Sequence, residues 1–182
     1  MAKTGGDLSR VHSVASLFVS RIDTSVDKLL DGLKADVALR GKAAVRNCEI
    51  VYYKFQKSFG GKEFKALKLQ GANVQRVLWA STGTKDPQYS DIKYITELIA
   101  PNTVNTVPDK TLEAVLDHGV AKAAMPGRVA EAQGTIEQLR LLGIDVGIVC
   151  NQLLDDGLAA FERSFDELTV SIEEKRARLS VK

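Results

Sequence analysis

The chain has 182 residues, with 25 Lys+Arg against 23 Asp+Glu and a net charge of +2. That balance excludes a nucleic-acid binder whose affinity comes from neutralising phosphates. With no apolar run near the ~18 residues of a membrane span, no membrane partner is expected either.

Two cysteines, Cys48 and Cys150, are too few for a disulfide framework or a Cys-based zinc site. The first six residues lack the apolar core of a signal peptide. A reducing, cytoplasmic setting is therefore expected.

Strands and helices alternate along the chain. Residues 12–20 (HSVASLFVS) are apolar and β-branched with small residues between, as in a strand buried on both faces. The spacing of Thr24 and Asp27 predicts a helix start of capping-box type. A helix is expected over residues 41–59, its apolar positions Ala44, Cys48, Val51 and Phe55 stepping by 4, 3 and 4. Gly60 and Gly61 stop it.

Residues 76–81 (RVLWAS) form the second predicted strand, running into the polar loop 82–87. Residues 91–99 read as helix and 103–107 (TVNTV) as the third strand. Pro108-Asp109 opens a helix that Gly119 closes. Val129, Ala132, Ile136 and Leu139 mark another amphipathic helix. The last and longest helix spans about 146–178, with Leu154, Leu158, Phe161, Phe165, Leu168 and Ile172 in near-heptad steps. Two readings stand for that stripe, a coiled coil and a helix packed along a globular body. Gly157 and the short run of heptads favour the second.

Three β-then-α units imply a parallel α/β sheet with right-handed crossovers. Three strands cannot close a (β/α)₈ barrel, which needs eight strands and typically ~250 residues. The chain reads as a small open domain or as a piece of something larger.

In parallel α/β folds functional groups gather where strands end. Arg21 follows the first strand. Ser81, a glycine loop and Lys85 follow the second. A guanidinium, an ammonium and several hydroxyls at one sheet end suit a phosphate monoester.

The competing reading is plain ion pairing, of Arg21 with Asp23 or Asp27 and of Lys85 with Asp86 or Asp91. Lys85 as a Schiff-base nucleophile is disfavoured, because a polar loop beside Asp86 keeps it charged. Ser16 and Ser20 share one side of the first strand by alternation, leaving room for a ligand or filling a tight interior. His12 and His118 have no metal-ligand spacing, Cys48 lies on a core stripe and Trp79 is expected to pack in the core. No metal site is expected.

The run HSVASLFVSRIDT over residues 12–24 resembles the sixth-strand region of the transaldolases, of the longer bacterial subgroup also found fused to glucose-6-phosphate isomerase. LWASTGTK over 78–85, continued by Tyr89-Ser90-Asp91, is similar to the seventh-strand segment. NTVNTVP over 102–108 is similar to the eighth, and Asp117-His118-Gly119 follows in register.

The resemblance covers essentially the whole chain. It implies the C-terminal part of a TIM (β/α)₈ barrel, with strands at about 13–21, 76–82 and 103–107, as one partial barrel domain over 1–182. It also implies transfer of a dihydroxyacetone unit from sedoheptulose 7-phosphate to glyceraldehyde 3-phosphate in the pentose phosphate pathway. That chemistry runs through a lysine Schiff base without a cofactor.

The family's lysine, Asp and Glu lie on the fourth, first and third strands, which have no counterpart in this chain. Only binding residues carry over, and none is catalytic. By resemblance Arg21 holds the substrate phosphate, Ser16 lines the substrate pocket and Ser81 belongs to the seventh-strand phosphate site. Lys85 stands where the family has a phosphate arginine.

The chain alone is therefore expected to be inactive and to need a missing N-terminal half or self-association. The alternative is a non-catalytic sugar-phosphate-binding or assembly module derived from a transaldolase.

Overall fold

The computed structural model describes residues 2–34, 37–125 and 127–180. The chain forms two compact units, residues 1–146 and residues 147–182.

In the first unit three strands make one parallel sheet in the order β1-β2-β3: β1 (Val14–Phe18), β2 (Arg76–Ala80) and β3 (Thr103–Asn105). Ser16 stands opposite Leu78, which stands opposite Val104. These three share one face by alternation, and Leu17, Trp79 and Asn105 share the other. Helices α1 (Ser20–Leu33), α2 (Ala43–Gly60), α3 (Lys62–Lys68), α4 (Lys93–Thr96), α5 (Asp109–His118) and α6 (Val129–Leu141) complete this unit. The fold is α/β and has the parallel strand–helix order of part of a barrel.

The core is built from period. Val19, Ile22, Val26 and Leu30 are buried along α1, and Ala44, Cys48 and Tyr52 along α2. Val77 and Trp79 supply the sheet's share, and Ala132 and Leu139 that of α6. Each set steps by two on the strand or by three, four or seven on the helices, as burial of one face requires. The α2 stripe turns toward Tyr52; Val51 and Phe55, expected in the core, are half-buried. Between α2 and α6 the buried Glu49 accepts from Arg46 at 2.9 Å, and Arg128 lies 3.5 Å away.

Three boundaries differ from the sequence reading. The first strand is five residues long, and its expected last residues 19–21 lie outside it; α1 begins at Ser20, ahead of the expected start near Thr24. Thr24 sits inside the helix and its hydroxyl donates back to Ser20 O at 3.0 Å, an alternative to capping that its sequence pattern cannot distinguish. The helix expected over 91–99 shortens to Lys93–Thr96 among turns. Helix α3, in a Lys-rich stretch with no buried residue, has no apolar stripe to announce it.

The second unit carries helix α7, which runs from Val146, the last residue of the first unit, to Ser180. Its stripe Leu154, Leu158, Phe161, Phe165, Leu168 and Ile172 is exposed.

Candidate phosphate site at the strand ends

The site grows from the way β1 hands over to α1. Val19 N–H donates to Ala80 O at 2.8 Å and Ser20 N–H to Ser81 O at 3.0 Å. The ladder to β2 thus continues for two residues while the helix starts. Ser81 takes φ +56°, a left-handed conformation uncommon outside glycine. The turn brings its hydroxyl to 3.3 Å from that of the buried Ser20. Thr82, fully buried, donates to Asn105 Oδ1 at 2.8 Å, and Asn105 Nδ2 donates to Tyr94 O at 3.1 Å. The ends of β2 and β3 are so joined.

Arg21 occupies the first turn of α1, directly after Ser20, and is exposed. Its guanidinium lies 5.0 Å over the ring of Phe18. Helix N-termini carry unpaired N–H groups and a positive dipole end, so Arg21 adds charge where the backbone already favours anions. Ser16 lies on exposed β1, two residues before the strand's end. Lys85 is exposed in the loop after β2 and lines a 370 Å³ cleft with Asp23, Asp27, Arg40 and Tyr89. The structure therefore brings Ser81 to the turn that carries Arg21. No hydrogen bond joins Ser16 or Lys85 to them among the described residues.

Among the described residues the ion pairs considered for Arg21 and Lys85 do not form, and their carboxylates are engaged elsewhere. Asp23 Oδ1 accepts Ala44 N–H and Oδ2 accepts Tyr94 O–H, both at 2.7 Å. Asp27 Oδ1 accepts Gly41 N–H at 2.9 Å and Oδ2 accepts Tyr89 O–H at 2.7 Å. Asp86 takes Arg40 at 3.1 Å, and Arg40 also pairs with Asp31. Asp91 is 3.1 Å from His118 Nε2; Asp117 first, and then Asp91, holds that imidazole's pKa above its ordinary value.

Burial lifts Asp23 to about 6, against the pull of the Ala44 N–H and the Tyr94 hydroxyl. Burial and the neighbouring carboxylates push both tyrosines upward, so each phenol keeps its proton and donates.

None of these acids or tyrosines stands out in the sequence as a site residue. The signal available was the i, i+4 spacing of Asp23 and Asp27 on a helix whose other face is apolar. Among the described residues no group of three His, Cys, Asp or Glu side chains could hold a metal ion. No helix there is long and apolar enough to cross a membrane.

An open sheet of three parallel strands with helices in strand–helix order is consistent with part of a βα barrel. The sequence pattern of the Transaldolase/Fructose-6-phosphate aldolase family matches residues 1–172, and the chain belongs to that family. It is 51% identical over 169 residues to a transaldolase of Mycolicibacterium smegmatis, covering 91% of this chain and 46% of that protein. It is 46% identical over 181 residues to the transaldolase of Mycobacterium tuberculosis, covering 97% and 48%. For the Mycobacterium ulcerans transaldolase the identity is 50% over 171 residues, covering 92% and 46%. The chain spans about half the length of these curated relatives.

Proposed function

We propose that the chain is the sugar-phosphate-binding, C-terminal part of a transaldolase. Arg21, Ser81, Ser16 and Lys85 contact the substrate, and the Schiff-base lysine with its Asp and Glu belongs to strands outside this sequence. The whole enzyme would move a dihydroxyacetone unit from sedoheptulose 7-phosphate to glyceraldehyde 3-phosphate, in the cytoplasm and without a cofactor. This part alone would form no Schiff base. Its partner would be an N-terminal half that supplies five more strands.

The observation that carries this reading is Arg21. It is exposed at a helix N-terminus beside Ser20 and Ser81, and nearby carboxylates that would neutralise it are bonded elsewhere. A guanidinium makes two parallel hydrogen bonds to phosphate oxygens, each charge-assisted bond contributing roughly 1.5–3 kcal/mol. Arg21→Ala is expected to weaken fructose 6-phosphate binding by about 2–4 kcal/mol, and Arg21→Lys to recover part of it. Binding of fructose should change little. Titration calorimetry of the chain, alone and with the first half of a relative, decides the matter. Equal losses on both sugars would mean that Arg21 serves the fold and does not read phosphate.

A further inference from the structure

We propose that Asp23, Asp27 and Asp31 form a three-rung ladder whose function is to position the loop carrying Lys85. This rests on reading the strand ends as a phosphate site.

The three acids recur every four residues, which places them on one face of α1. Each reaches a segment outside its own helix. Asp23 and Asp27 each spend one oxygen on a backbone N–H at the entrance of α2, from Ala44 and Gly41. Each spends the other on a phenol that follows β2, from Tyr94 and Tyr89. The third rung runs from Asp31 through Arg40 to Asp86. Two separate stretches of chain, residues 40–44 and 86–94, are thereby tied to one helix face.

The segment from Ser81 to Tyr94 is held at close intervals, by the ladder and by two contacts outside it. Ser81 is fixed by Ser20, Thr82 by Asn105, Asp86 by Arg40, Tyr89 by Asp27 and Tyr94 by Asp23. Lys85 sits one residue before the Arg40-held Asp86. The fit at the middle rung is close. Gly41 has φ +65°, and a Cβ there would lie 2.7 Å from Cζ of Tyr89, so only glycine lets that ring approach.

Burial makes the Asp23 and Asp27 rungs costly to break, whereas the third rung is solvated, with Asp31 61% exposed. A phenol or carboxylate left without its partner in a buried site keeps its desolvation cost, so a broken rung favours a displaced loop.

The test uses the full chain and Tyr89→Phe, which removes one hydroxyl and keeps the ring. Fructose 6-phosphate affinity, measured by calorimetry, should fall about three- to ten-fold. In a Lys85→Ala background the same change should lose most of its effect, because the loop then has no charge to deliver. Circular dichroism checks that both variants are folded at the titration temperature. A folded Tyr89→Phe with wild-type affinity, or an equal loss with and without Lys85, would overturn the ladder's positioning role.

Amide hydrogen exchange separates this inference from the reading beneath it. Tyr89→Phe should speed exchange across residues 82–91 at least ten-fold, with α6 unchanged. If the wild type binds no fructose 6-phosphate even with the first half of a relative added, the phosphate reading fails while this measurement still decides the loop. Unchanged exchange in the loop would sink the ladder whatever the binding result.

Discussion

The two faces of the sheet are finished to different degrees. On one, Val77 and Trp79 are buried at 4% and 0% exposure beneath helices. On the other, Val14 and Phe18 of β1 remain 41% and 43% exposed, and Ser16 is exposed as well. The strands at both edges, β1 and β3, pair on one side only. Apolar surface and unpaired edges of this kind recruit further chain. The contrast teaches where the chain's stability is made and where apolar surface is left uncovered.

The sharpest test of the finished face is Trp79→Ala. Removing a fully buried aromatic leaves a cavity and should cost about 3–5 kcal/mol, read by urea denaturation. A cost below about 1 kcal/mol would mean that this side is no better packed than the other.

A second test concerns acid. Asp23 has a folded pKa of about 6 against 3.8 for the free side chain, because burial disfavours its charge and Asp27 adds repulsion. The folded state therefore binds the proton more tightly. The contribution is fully present below about pH 4 and is lost as pH rises through 6. Lys93, which faces the same carboxylate, opposes the shift only weakly.

Wild-type stability relative to Asp23→Asn should fall by about 2–3 kcal/mol between pH 4 and pH 7, at 1.36 kcal/mol per unit. Taking the difference between the two proteins removes the opposite trend of Glu131 and Glu137, whose arginine partners hold their pKa values low. A flat difference would place the Asp23 charge in a wetter site than its geometry indicates.

On the unfinished face the effects should be on association. Phe18→Ser is expected to lower self-association at micromolar concentration, seen by sedimentation velocity, with little loss of stability. The smallest effect belongs to Ser16→Ala, within about 0.5 kcal/mol, as at exposed positions generally. A larger cost would show that this face is packed in solution.

The elements that the sequence made legible are those whose period reports burial. β2, α2, α5, α6 and α7 fall within a few residues of the expected spans, because apolar spacing and glycine stops act locally. The handover at Ser20 was not legible. It is set by Ser20 N–H bonding to Ser81 O, sixty-one residues away in the chain, and no local pattern encodes such a partner.

The same holds for the site. Arg21 and Ser81 are candidates from residue type at strand ends, and the structure places Ser81 at the turn that carries Arg21. The Asp23–Tyr94 and Asp27–Tyr89 bonds join positions 71 and 62 residues apart. Asp23 looked like an ion-pair partner for Arg21, and tertiary contacts gave it a backbone N–H and a phenol instead.

Trp79 has one more consequence. It is the chain's single tryptophan, wholly buried, and its indole Nε1 has no hydrogen-bond partner. Such an indole sits in an apolar, water-free environment, so its emission should be blue-shifted and poorly quenched by iodide. The fluorophore lies on the helix-covered side of β2, so joining a complementary half across the bare side would leave the spectrum almost unchanged. Unfolding would shift it to the red. The molecule thus contains an optical probe that separates loss of structure from assembly, without any label added.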